Sequence, residues 1–240
     1  MGVRKSDKEL QEQKRLGNTL LLVGCLLIAA ALGLVGFNYW DSERAGRESG
    51  AILEELDRKL DGKELQDPTI PAVNAELLDD RVQMGGSWLE QQVMPTVEID
   101  GYRYIGTLEI PSLNIRLPVM ENWDLDRLKI SPCLYSGSYF TDDMVICGHN
   151  YARHFSPIKG VDIGADVYFT TVDAVLYHYT VSNITTLQPT AVNQMIQNQN
   201  NSHMSDGALE NWDMTLFTCN TGGQTRCAVR CVRADRREMP

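Results

Sequence analysis

Cys219 is the residue in this chain around which chemistry can be built. It ends the stretch Met214–Cys219 (MTLFTC), whose Thr, Leu and Phe suit a half-buried strand. Asn220–Gln224 is turn chemistry, with Gly222 and Gly223 free to take positive φ. Thr225–Arg233 then alternates small or apolar residues with Arg, the pattern of a second strand. Paired as a hairpin, the two strands set Cys219 across from Arg226, and directly opposed residues share a face with Cβ atoms roughly 5 Å apart. A thiol and a guanidinium then point into one pocket. Alone, a Cys at a strand end is more often a small buried hydrophobe. His149 shifts that balance. In Val145–Asn150 (VICGHN) an apolar strand runs into Gly148 and presents an imidazole at its end. Cysteine catalysis needs a base or counter-cation beside the thiol and a donor for the developing oxyanion, roles that suit His149 and Arg226.

These motifs carry a family resemblance. TLFTC at Thr215–Cys219 resembles the Thr-Leu-x-Thr-Cys signature of sortases, the cysteine transpeptidases of Gram-positive surfaces. The order of features is similar too: an apolar anchor, Gly148-His149, the Cys motif, then an Arg a few residues on. The likeness runs from about Tyr104, where Ile105–Ile115 (IGTLEIPSLNI) resembles the family's first core strands, to about Arg233. It implies a mainly β fold, an eight-stranded sortase-type β-barrel with short helices. It also implies a catalytic set of Cys219, His149 and Arg226 and no cofactor. The implied substrate is a surface protein with a Leu-Pro-x-Thr-Gly-like C-terminal signal, and the acceptor is a peptidoglycan-precursor or pilin amine. Thr218, Thr215 and Asn150, beside the two motifs, are candidate substrate-binding positions, and the Thr218 N–H is a candidate oxyanion donor. The helical stalk and the long Ile184–Trp212 connection resemble class B sortases, while the tight Cys-to-Arg spacing differs from several classes.

The strands that must position these residues are legible as alternation. Tyr102–Ile110, Ile115–Met120, Met144–Cys147, Asp166–Thr171, Val175–Val181 and the final pair read as strands, with Pro111–Asn114 as a turn. Many short strands with little helix suggest a closed or nearly closed barrel without the resemblance. Ile184–Trp212 breaks the rhythm, with a helix expected at Pro189–Gln197 and a polar tract at Asn198–Gly207. So long a connection is often functional.

Upstream, Leu16–Trp40 carries no charge and is long enough to span a bilayer, with Tyr39 and Trp40 placed like an interfacial aromatic belt. A cleaved signal peptide is the alternative, with Ala29–Ala31 as the small-residue site, but the apolar run exceeds a usual signal core. Arg4, Lys5, Lys8, Lys14 and Arg15 before the span, against Arg44 and Arg47 after it, place the N-terminus inside. The expected organisation is a cytoplasmic tail (1–15), a membrane anchor (16–40), an extracellular stalk (41–100) and a catalytic domain (101–240). In the stalk, Ile52, Leu53, Leu56 and Leu60 share a helical face over Ser49–Leu60, and Asp67–Pro71 breaks the helix. A second short helix is expected at Val73–Val82.

Composition narrows the partners. A formal net charge of −10 argues against nucleic acid, and 43% hydrophobic residues suffice for a sizeable core. Of six cysteines, Cys25 lies in the apolar run, and Cys227 and Cys231, roughly 13 Å apart along one strand, cannot bridge each other. Cys133 with Cys147 stays open as a disulfide. His154, His178 and His203 lack partners at metal-ligand spacing, and Cys147-x-His149 alone is a poor zinc site, so no metal is assigned. Asp142 and Asp143 suit a turn. Two rival readings use the same residues: a secreted cysteine peptidase, and a surface module in which Cys219 is buried and inert.

Overall fold

The computed structural model describes residues 7–68, 93–198 and 211–234. By its contacts the chain divides into two compact units, 1–44 and 45–240. One helix, α1 (Asp7–Leu60), begins in the first unit and ends in the second. In the first unit Leu20, Leu21, Leu26, Leu27 and Ile28 are all exposed. This helix is long and apolar enough to cross a membrane.

The second unit is a β-barrel. Its strands are β1 (Val97–Ile99), β2 (Tyr102–Ile110), β3 (Ile115–Met120), β4 (Cys133–Ser136), β5 (Met144–Cys147), β6 (Asp166–Thr171), β7 (Leu176–Leu187), β8 (Met214–Cys219) and β9 (Arg226–Arg233). They hydrogen-bond in the order β1-β2-β3-β4-β5-β8-β9-β7-β6, and β6 returns to pair with β2 through Gly106–Glu109. Eight strands thus close on themselves, with β1 an added edge on β2. Closure removes the unpaired edges that an open sheet would offer to other chains.

Alternation along each strand fills the interior. Leu108, Ile110, Leu117, Val119, Met144, Ile146, Val167, Phe169, Tyr177, Tyr179, Met214, Leu216, Val229 and Cys231 form one buried cluster. Burying each large apolar side chain contributes about 1.5–3 kcal/mol, enough to fix which face of every strand points inward. The odd residues of β8 and the even ones of β9 therefore lie outside, Thr215, Phe217 and Cys219 across from Arg230, Ala228 and Arg226.

Part of that outer surface is also covered. Ile52 and Leu56 of α1 are buried with Tyr104, Met120, Cys133 and Cys147, so the amphipathic face of the stalk helix packs on the barrel. Asp57 of α1 accepts two hydrogen bonds from Arg116 of β3, at 2.8 and 2.6 Å. Gln66 bridges to Val175, with Gln66 N donating to the Ala174 carbonyl at 2.8 Å, so the chain beyond α1 is tied to the β6–β7 turn. A second cover is the short helix α2 (Val192–Ile196), which packs Met195 against Val145, Trp212 and Ala228.

Several elements differ from the sequence reading. β7 does not stop near Val181 but continues to Leu187, paired with β9 down to Leu187–Arg226. A bulge between Val181 and Asn183 interrupts the alternation there, which hides the continuation in the sequence. The helix expected over Pro189–Gln197 is confined to Val192–Ile196. β1 and β4, of three and four residues, were not anticipated; β4 touches β3 through the single pair Met120–Cys133. The helix expected at Val73–Val82, the tract near His203 and the far C-terminus lie outside the described residues.

Candidate active site

Three strand ends meet at one edge of the barrel. β5 and β8 run parallel, with Cys147 beside Phe217, so Gly148-His149, just past the end of β5, lies alongside Thr218-Cys219, the last two residues of β8. Gly148 N donates to the Phe217 carbonyl at 3.0 Å, and the buried Thr218 hydroxyl donates to the Gly148 carbonyl at 2.9 Å, extending the contact past the end of β5. β9 then starts at the same edge by an antiparallel hairpin, with Cys219 directly opposite Arg226. Gly222 and Gly223 make that turn with φ of 84° and 72°, where a side chain would be strained. The hairpin register matches the one expected from sequence.

Cys219, His149 and Arg226 line one cleft of about 310 Å³ on the barrel's outer face, together with Cys147, Gly148 and Thr218. Each of the three is partly exposed. Arg226 donates to the Gly223 carbonyl at 2.9 Å and the Thr225 carbonyl at 3.3 Å, local bonds that aim the guanidinium along its own turn. The His149 imidazole stacks on Tyr151, with ring centroids 3.9 Å apart and planes 6° from parallel.

The cleft has an apolar end. Trp123, Tyr135 and Phe217 are in consecutive ring contact, each pair 5.2 Å between centroids. Leu125 and Leu128, from the β3–β4 connection, continue this wall. Pro189, Val192 and Met195, from the segment after β7, also line the cleft. So the long connection ahead of the Cys strand does border the cleft. Sequence reasoning missed the β3–β4 wall; its signal was Trp123 and Leu125 standing in an otherwise charged segment, both of them exposed.

Arg230, the other cation on the Cys-facing side of β9, is buried. It donates to the Thr215 hydroxyl at 2.6 Å, to the Met195 carbonyl at 3.1 Å and to the Gln194 carbonyl, and it lies 4.8 Å from the Trp212 ring centroid. It therefore holds α2 against the barrel and does not line the cleft. Thr215, expected near substrate, sits under Arg230 and is fully buried; of the three candidate binding positions, only Thr218 borders the cleft. Asn150 follows His149 with its Oδ1 buried.

Cys133, Cys147, Cys227 and Cys231 are buried, whereas Cys219 is partly exposed. Cys133 and Cys147 are cross-strand neighbours, and both thiols are free. Burial pushes the Cys147 thiol up to about 12 and raises those of Cys133, Cys227 and Cys231 as well. The remaining titratable candidates have structural roles. His178 pairs with Asp166 at 2.8 Å, and Asp143 accepts from Ser138 N in the turn expected there. Asp142 forms a buried ion pair with Arg233 at 3.2 Å, and neither carboxylate borders the cleft. Among the described residues no cluster of His, Cys, Asp and Glu is arranged to hold a metal ion.

The eight-stranded closed barrel thus gathers Cys219, His149 and Arg226 at one cleft. The chain belongs to the sortase family: a family model of the sortase domain matches residues 108–234, more than half of the chain. Membership brings the general activity, cysteine transpeptidation on proteins that carry sorting signals. Among solved structures the chain is similar to a sortase C from Clostridium perfringens SM101, at 23% identity and a TM-score of 0.43, covering 55% of this chain and 70% of that one. It is also similar to a Clostridium perfringens sortase D5 transpeptidase, at 20% identity and a TM-score of 0.45, covering 54% of this chain and 78% of that one. A third likeness is to sortase C1 from Streptococcus suis, at 24% identity and a TM-score of 0.43, covering 54% and 72%. A comparison with curated protein sequences finds no match.

Proposed function

We propose that this sortase is a membrane-anchored transpeptidase in which Cys219 is the nucleophile, His149 the proton carrier and Arg226 the oxyanion donor. The observation that carries the reading is the meeting of β5, β8 and β9 at one cleft, with the three side chains lining it. The Cys219 thiolate attacks the scissile carbonyl of a Leu-Pro-x-Thr-Gly-like signal and forms the tetrahedral intermediate. Its oxyanion accepts hydrogen bonds from Arg226. Collapse breaks the C–N bond, His149 gives its proton to the departing amine, and a thioester remains on Cys219. An incoming peptidoglycan-precursor or pilin amine attacks that thioester and loses a proton to His149, the C–S bond breaks to release the new amide, and the Cys219 thiolate beside protonated His149 is regenerated. The apolar end of the cleft suits the apolar residues of such a signal, and Thr218 lines the same cleft as Cys219.

The uncharged helical run Leu16–Trp40 supports a single membrane span, and the basic residues ahead of it support a cytoplasmic N-terminus with residues 41–100 and the catalytic domain outside. An anchored enzyme meets its acceptor at high local concentration, which favours aminolysis over hydrolysis. The test is a product analysis with full-length protein in detergent, a Leu-Pro-x-Thr-Gly peptide and a series of amines. A thioester on Cys219, turnover that rises with amine, amine in the product, and impairment of both half-reactions in His149→Ala support transpeptidation. Free acid as the sole product with every amine supports a peptidase.

A further inference from the structure

The stalk helix reaches the imidazole through three side chains. Ser49 of α1 donates its hydroxyl proton to the Ile130 carbonyl at 2.6 Å, and the same oxygen lies 3.1 Å from Nε2 of the fully buried His154. A carbonyl only accepts and a hydroxyl has one proton, so Ser49 is the acceptor toward His154 and Nε2 carries the hydrogen. His154 in turn lies 5.6 Å, centroid to centroid, from the Tyr151 ring, which stacks on His149 at 3.9 Å. The backbone between them is folded on itself. Phe155 N donates to the His149 carbonyl, and His154 N and Ser156 N both donate to that of Tyr151. Arg153, between Tyr151 and His154, lies so close to Gly46 of α1 that a Cβ there would stand 2.9 Å from its Cγ.

We propose that Ser49, His154 and Tyr151 are positioning residues that set the plane of the His149 imidazole toward Cys219, making the stalk helix part of the catalytic apparatus. This rests on the reading of His149 and Cys219 as the reacting pair. An imidazole on a loop has a broad, nearly two-fold torsion about its ring bond. A parallel aromatic ring on one face removes most of that freedom. Tyr151 can hold this position only if its own loop is fixed, and His154 fixes the loop by its hydrogen bond to α1. A disturbance of α1 near Ser49 thus has a route to His149 through His154 and Tyr151, beside its direct bond to Ile130 of the β3–β4 connection.

The test uses full-length protein in detergent, with iodoacetamide as the probe and mass spectrometry to follow Cys219 alone, well below each variant's melting midpoint. His149→Ala is the reference and slows Cys219 alkylation at pH 7. Tyr151→Leu slows it about fivefold, and Tyr151→Phe, which keeps the ring and drops the hydroxyl, restores it to within about twofold. Ser49→Ala slows it by a smaller factor, and Ser49→Thr, which keeps the hydroxyl, restores it. A role confined to stability lowers the midpoint without changing the rate in the folded protein. If His149→Ala slows the reaction while Tyr151→Leu and Ser49→Ala react like the parent, the link is refuted and the site reading stands. If Tyr151→Phe fails to restore the rate, stacking is not the cause and the proposal falls. If His149→Ala reacts like the parent, the site reading fails and takes the link with it.

Discussion

Arg226 and Arg230 share one face of β9 but sit in different surroundings, one lining the cleft and one buried, and a pair of alanine substitutions tests the roles proposed for them. Arg230→Ala removes a buried guanidinium that donates to Thr215, Met195 and Gln194 and packs on Trp212. Hydrogen bonds from a charged donor are worth about 1.5–3 kcal/mol each, and the acceptors left behind in a dry site add their own desolvation cost. Such terms are not additive, so the expected loss is about 3–5 kcal/mol rather than their sum. For a domain of this size that lowers the melting midpoint by roughly 6–20 °C. Arg226→Ala removes only two bonds to carbonyls of its own turn, one of them long, and costs about 1 kcal/mol or less. Its effect appears in catalysis: loss of an oxyanion donor lowers kcat/KM on the order of a hundredfold. Arg226→Lys recovers little, because a point charge does not reproduce the planar fork. Thermal denaturation and the rate of thioester formation with a sorting-signal peptide, measured below both midpoints, give the two axes. Arg230→Ala also loosens α2, and with it the Val192–Met195 wall, so its folded fraction shows a raised KM. A hundredfold loss of kcat in folded Arg230→Ala, beside parental turnover in Arg226→Ala, would refute the assignment.

Iodoacetamide at pH 8 modifies Cys219 first among the cysteines of the barrel, as peptide mapping would show. With its thiol near 12, Cys147 is roughly one part in ten thousand thiolate at that pH, and faster labelling of Cys147 or Cys133 would contradict the site. Gly148→Ala sets a methyl into the Phe155 ring, so it costs about 1–3 kcal/mol in denaturant titration and slows turnover by displacing His149. The acid limb of stability includes Asp57, whose carboxyl is held below its ordinary value by the hydrogen bond and charge of Arg116, against a smaller opposing effect of burial. Its folded pKa is depressed, so the stabilisation is fully present above the ordinary value of 3.8 and is lost as pH falls through the lowered one. The pair is about half exposed, so Asp57→Asn lowers stability at pH 7 by about 1 kcal/mol at most and flattens the profile below pH 4.

What was legible in the chain follows the range of the interactions involved. The Cys219–Arg226 pairing could be read because a short turn with two glycines leaves one simple register. The distinction between Arg226 and Arg230 could not, since alternation makes them equivalent and only the cover of α2 and Trp212 separates them. β7 looked short because its pattern slips at the Val181–Asn183 bulge, and β4 escaped notice because four residues carry too little alternation to register. The stalk face of Ile52 and Leu56 was evident from helical spacing, but its seat on the barrel next to Cys147 was not. The stack of Tyr151 on His149 had no signal beyond two aromatic side chains two residues apart. Thr215 was placed near substrate by its motif, and the fold buries it instead, since the alternation that exposes Cys219 at the strand's end carries Thr215 beneath α2.

The meeting of His149 with Cys219 depends on strand direction, which neither motif contains. Were β5 antiparallel to β8, His149 would emerge beside Met214, five residues from Cys219 and roughly 17 Å away. Parallel pairing brings both ends to the same edge, and among the described strands β5–β8 is the one extended parallel pair. A parallel pair cannot be joined by a tight turn, so the chain must leave the edge after His149 and return to the far end of β8. That crossover contains β6, β7 and α2, and on its way back it lays Pro189, Val192 and Met195 along the cleft. The antiparallel hairpin that follows costs only a short turn and returns Arg226 to the edge where Cys219 stands. One topological choice therefore aligns Cys219 with His149 and also supplies a wall of the cleft. This is why Gly148-His149 can lie far from Thr218-Cys219 and Arg226 in the chain and still line one cleft with them.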